Sequence, residues 1–205
     1  MRISKTLVAK AATALGALVL ASTGAHAAPV VDQANDVIGT VSFNGGAPTL
    51  TWQQGVVAGQ TGQLTAIEVY FNAANLGAGI QFFVNQGAGW QSDANDFDAV
   101  LNGLVAGWNL IDVSSAGISL SAGDQLVFGF KGQSPGNFSP SFTGTSGDVY
   151  SQGQLFLNGA VYAVPDYDVN FRTYVEAGRL PEPGSAALVV IACLATGLAR
   201  RRARA

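Results

Sequence analysis

The sequence predicts an all-β fold: an antiparallel β-sandwich, jelly-roll-like, flanked by an N-terminal signal helix and a C-terminal transmembrane helix. Three observations predict the sandwich. Short apolar runs alternate with period two. Turn-forming clusters separate them, drawn from 26 glycines and seven prolines in 205 residues. No stretch of the middle region sustains a 3.6-residue period, so helices are not expected there. The runs number eight to ten, at the spacing expected of a sandwich. No repeat of fixed period points to a propeller or β-helix.

Residues 1–27 read as a secretory signal peptide. Arg2, Lys5 and Lys10 are basic, Ala11 to Ala21 is apolar, and Ala25-His26-Ala27 has the small-x-small pattern of a cleavage site. Cleavage is expected after Ala27. An uncleaved helical anchor is the alternative.

Residues 28–178 form the expected sandwich. Leu50 and Trp52 alternate with Thr51 and Gln53. Ile67, Val69 and Phe71 share one face of the run Leu64–Phe71, with Glu68 opposite. Ile80, Phe82 and Val84 alternate with Gln81, Phe83 and Asn85, and Leu126, Phe128 and Phe130 repeat the pattern. Val169, Phe171, Thr173 and Val175 line one face of the last run, opposite Asn170, Arg172 and Tyr174. Shorter candidate strands are Val37–Phe43, Val100–Val105, Trp108–Val113, Gln154–Leu157 and Ala160–Val164. Asn158-Gly159 predicts a hairpin between the last two, because both positions of a type I′ turn need positive φ. The Ser-, Gly-, Pro- and Thr-rich stretch 132–147 reads as a long surface loop.

Residues 179–205 close the chain. Leu180-Pro181-Glu182-Pro183 interrupts regular structure, since proline lacks an N–H donor. Sixteen uncharged residues follow, Gly184 to Ala199, and then Arg200, Arg201, Arg202 and Arg204. As a helix the uncharged run spans about 24 Å, short of the roughly 30 Å hydrocarbon core. Snorkelling arginines and local thinning close the difference. The arginines are expected to stay cytoplasmic, which places residues 28–178 across the membrane, as the signal peptide also requires.

These three parts, in this order, resemble the PEP-CTERM sorting signal of Gram-negative bacteria. Pro181, Glu182 and Pro183 match its motif, although Leu180 stands where the family most often has Val. The resemblance covers about residues 180–205. It implies recognition by an exosortase-like membrane protease or transpeptidase, a transient inner-membrane intermediate, and delivery to the cell surface or exopolysaccharide matrix. An ordinary permanent anchor is the alternative.

Charge is segregated along the chain. Residues 28–178 carry twelve acids and two bases, Lys131 and Arg172, a net −10, while the ends are basic. Such a domain cannot neutralise phosphates, so nucleic-acid binding is not expected. The only His is His26 and the only Cys is Cys193. Residues 28–178 therefore cannot build a Ser-His-Asp triad, a Cys-His dyad, or a His- or Cys-ligated metal site. They contain no disulfide, so an apolar core must hold them together. Cys193 reads as a small apolar filler of its helix.

Two candidate binding sites stand out. Asp93, Asn95, Asp96 and Asp98 place four oxygen-bearing side chains within six residues, a composition suited to Ca²⁺. A solvated turn with local hydrogen bonds is the alternative. Asp166 and Asp168 form a weaker pair. Trp90, between Gly-Ala-Gly and that acidic cluster, can stack on a sugar ring; partial burial beneath its loop is the alternative. Trp52 and Trp108 fall in strand runs and are expected to pack on the core or sheet surface. The resulting expectation is an exported, non-enzymatic structural, adhesive or polysaccharide-binding protein. A carboxylate-based polysaccharide hydrolase or lyase is the second reading, but nothing in the spacing pairs Glu68 with Glu176.

Overall fold

The alternation of Ile80, Phe82 and Val84 with Gln81 and Phe83 becomes a central strand of one of two antiparallel sheets. The computed structural model describes residues 28–44, 49–73, 76–92, 94–133, 140–162 and 166–177. Fourteen strands are described: β1 (Val30–Asn35), β2 (Val41–Asn44), β3 (Thr51–Val57), β4 (Gly62–Phe71), β5 (Ile80–Gln86), β6 (Phe97–Leu101) and β7 (Gly107–Asp112), then β8 (Ser119–Leu120), β9 (Gln125–Gly132), β10 (Ser141–Ser146), β11 (Leu155–Leu157), β12 (Ala160–Val161), β13 (Tyr167–Val169) and β14 (Phe171–Ala177). The only helical element among the described residues is a 3₁₀ turn, Ser114–Ala116. The strands belong to one unit, Pro29–Gly178.

The first sheet runs β1-β14-β4-β10-β13, with β7 and β8 also paired to β4 and β2 to β10. The second runs β12-β11-β3-β9-β5-β6. Period-two alternation turns one face of each sheet inward. Phenylalanines from the two faces meet there: Phe130 of β9 stacks on Phe142 of β10 at 4.5 Å, and Phe128 lies 5.3 Å from Phe171 of β14. Phe71 and Phe130 meet edge to face at 5.9 Å. Edge-to-face and offset arrangements are those that ring quadrupoles favour. The core is thus aromatic and spans both sheets.

Most inward faces fall as expected. Ile67, Val69, Phe71, Val169, Phe171, Thr173 and Val175 are all buried. Trp52 is buried, whereas Trp108 lies half-buried on the outer face of the first sheet, its ring 4.2 Å beneath the Arg172 guanidinium. Asn158 and Gly159 take φ of 48° and 92°, closing the β11–β12 hairpin.

One expectation is overturned. Stretch 132–147 is not a continuous loop, because residues 141–146 form β10, paired with β2 on one side and β13 on the other. Ser141 to Thr145 are buried. Their polarity is satisfied internally: Thr143 donates to Asn170 Oδ1 at 3.1 Å, and Thr145 Oγ1 accepts from Asn35 Nδ2 at 2.9 Å. Gly144 is required because a Cβ there would overlap the Asp168 carbonyl and the Phe43 ring. Strand limits also shift: Val37–Phe43 reduces to β2, Val41–Asn44, and Val100–Val105 becomes β6, Phe97–Leu101. β1 and β8 were not anticipated.

Candidate functional site

Trp90 lies on the connection between β5 and β6, where the sequence placed it. β5 ends at Gln86, and Gly87 turns the chain at φ +127°. The base of the loop is closed by Asp96. Its N–H donates to the Val84 carbonyl at 3.0 Å, and its Oδ2 accepts from the Gln86 N–H at 2.8 Å.

Gln53 of β3 fastens the loop to the outer face of the second sheet. Its Nε2 donates to the Gln91 carbonyl at 2.7 Å, and its Oε1 accepts the Gln91 N–H at 2.9 Å. The side-chain amide pairs with Gln91 much as a neighbouring strand would. Gln53 is 1% exposed, so both partners are needed to offset its burial. Gln91 Nε2 also donates to the Ala88 carbonyl at 2.7 Å, tightening the turn.

An open groove of about 300 Å³ results, lined by Thr51, Gln53, Gln81, Phe83, Trp90, Gln91, Ser92, Asn95 and Lys131. Strand register explains the set. Thr51 opposes Lys131, which opposes Gln81. Gln53 opposes Gly129, which opposes Phe83. A Cβ on Gly129 would overlap the Phe83 ring, so the glycine makes room for that ring. The groove therefore offers aromatic side chains, the amides of Gln81, Gln91 and Asn95, two hydroxyls and one ammonium, while the buried Gln53 amide holds the loop. Amides and hydroxyls both donate and accept.

The acidic cluster divides between loop and strand. Asp98 lies on β6, and Phe97, the first residue of that strand, packs 6.2 Å from Phe82. Asp98 Oδ2 accepts from Gln81 Nε2 at 2.6 Å and from Asn95 Nδ2 at 2.7 Å. Asn95 Oδ1 accepts from Asn85 at 3.0 Å. Asp98, Asn95 and Asp96 thus each serve a protein donor. Asp93 lies outside the described residues. Among the described residues no group of three or more His, Cys, Asp or Glu is placed to hold a metal ion.

Asp148, Asp166 and Asp168 line a smaller pocket of about 120 Å³ with Tyr162 and Tyr167. Asp168 is buried and accepts from Tyr150 N–H at 2.9 Å and Gln54 Nε2 at 3.1 Å. Burial pushes its carboxyl above the ordinary 3.8, and the nearby Asp148 charge adds to this against the lowering effect of those hydrogen bonds. Glu68 sits in the first sheet, where Arg172 and the Tyr174 hydroxyl hold its carboxylate at 3.1 and 2.7 Å.

The sequence singled out Trp90 but not Gln53, Gln81, Phe83 or Lys131. Their signal was present in the alternation itself, as the partners of Trp52, Phe82 and Phe130 on the opposite face. Ala25 and Ala27, Pro181, Glu182 and Pro183, Cys193, and Arg200, Arg201, Arg202 and Arg204 lie outside the described residues. Among the described residues no helix is long and apolar enough to cross a membrane. The chain matches no protein-family model and no curated protein.

Proposed function

We propose that the chain is an exported, non-enzymatic surface or extracellular-matrix protein that binds polysaccharide in the Trp90 groove. Its two sheets are read as a jelly-roll-like sandwich that presents the groove on an outer face. The observation that carries this reading is the meeting of Trp90 with the amides of Gln81, Gln91 and Asn95 in one open groove. Sugar rings offer an apolar face to an indole and hydroxyls to amides, and an open groove admits a polymer rather than a single small molecule. The terminal segments supply the delivery. Residues 1–27 direct export, and residues 179–205 are recognised by an exosortase-like membrane protein and released to the surface.

Affinity electrophoresis of the full chain through gels containing bacterial exopolysaccharides tests the binding. Retardation by at least one polymer, abolished by Trp90→Ala, is expected; migration unaffected by every polymer overturns the reading. The mass of the protein recovered from the cell surface tests the delivery, because retention of residues 184–205 contradicts processing.

A further inference from the structure

Lys131 carries a further inference, which rests on the polysaccharide-binding reading. Residues 28–178 hold only two basic side chains. Arg172 is fully engaged. It reaches Glu68 at 3.1 Å and Asp36 at 3.7 Å, and its guanidinium covers the Trp108 ring. Lys131 makes no ion pair among the described residues. The one basic side chain without an ion pair among the described residues therefore stands in the groove that holds Trp90.

Its place in the sheet sharpens the point. Lysines on sheet surfaces often guard edge strands against pairing with other chains. Lys131 does not, because β9 lies between β3 and β5. Its cross-strand neighbours Thr51 and Gln81 are both neutral. Asp98, one strand further out, shares its Oδ2 with two amide donors. Nor does an acidic domain need a lone cation for solubility.

We propose that the groove takes a carboxylated polysaccharide, a chain containing uronic acids. Lys131 donates to a sugar carboxylate while Trp90 stacks on a ring. Physiological salt screens the domain's more distant negative charge beyond about 8 Å, and Asp98, beside the groove, spends its Oδ2 on Gln81 and Asn95. The contact pair is screened far less, and a charge-assisted hydrogen bond is the strongest single contact the groove can make.

Matched polymers test this with the full chain. Polygalacturonate, alginate and hyaluronate are each compared with their methyl-esterified forms, in which the charge is removed and the sugar kept. At least one acidic form is expected to bind, with about tenfold or greater loss on esterification, the scale of 1.4 kcal/mol. Lys131→Gln should show the same loss, Lys131→Arg should retain affinity, and Lys131→Gln should bind acidic and esterified forms alike. Equal binding of the esterified form, or an unchanged Lys131→Gln, overturns the inference; if Trp90→Ala still abolishes that binding, the polysaccharide reading stands. If no polymer of either form binds, or Trp90→Ala binds normally, both fail.

Discussion

Gln53, Gly129 and Asp168 show how much single side chains decide here. Gln53→Ala removes both bonds to Gln91 and leaves the Gln91 N–H and C=O without their partner. A loss of about 1–3 kcal/mol is expected, together with faster amide exchange at Gln91; exchange at the native rate would show that the loop is held otherwise. Gly129→Ala forces the Phe83 ring and the Trp52 carbonyl to move within a central strand. Overpacking of this kind costs about 1–3 kcal/mol, read as a lower Tm, and an unchanged Tm would mean the ring relocates freely. Asp168 sets a pH dependence. Its folded carboxyl titrates above the unfolded value of 3.8. Between those two values the folded chain binds more protons than the unfolded one, so stability declines as pH rises through that window. Asp168's contribution is fully present below about 3.8 and lost above the raised value. Asp168→Asn should flatten the fall in Tm above pH 4, and an identical slope would assign the fall to other groups.

At the scale of elements, the hairpin and β10 mark the limits of reading the sequence. Asn158-Gly159 announced itself because few residues accept positive φ in succession. Asn158 has a second task that its turn position did not reveal: its Oδ1 accepts the Thr51 N–H at 2.8 Å, tying the turn to β3. Asn158→Ala is therefore expected to cost about 1–2 kcal/mol, from αL strain and the lost hydrogen bond; chemical denaturation measures this, and a loss below a few tenths would mean the turn tolerates alanine. The alternating runs of β4, β5 and β9 were legible because each repeats large apolar residues at every second position. β10 was hidden because Ser-Phe-Thr-Gly-Thr-Ser lacks that pattern. Its burial depends on Asn35 and Asn170, far away in sequence, which give its hydroxyls partners. No local window contains that information.

At the scale of the molecule, the two sheets share a core built on phenylalanine, and residues 28–178 hold no cysteine for a disulfide. Residues 28–178 alone should therefore unfold in one cooperative transition whose midpoint is unaffected by reductant; two resolved transitions would show that the sheets are separately stable. The all-β class was legible at this scale, and so was the loop position of Trp90. The groove was not, because it depends on cross-strand register, which brings Lys131 between Thr51 and Gln81 from segments up to 80 residues apart. The same register has a mechanical consequence. β14, the last described strand, lies between β1 and β4, with Val175 opposite both Val30 and Leu64. Antiparallel hydrogen bonds run across the strand axis. A pull along β14 from its C-terminal end loads the bonds on both flanks together, in shear, instead of unzipping them one at a time. A domain pulled through that end would bear the tension on a strand hydrogen-bonded along both flanks.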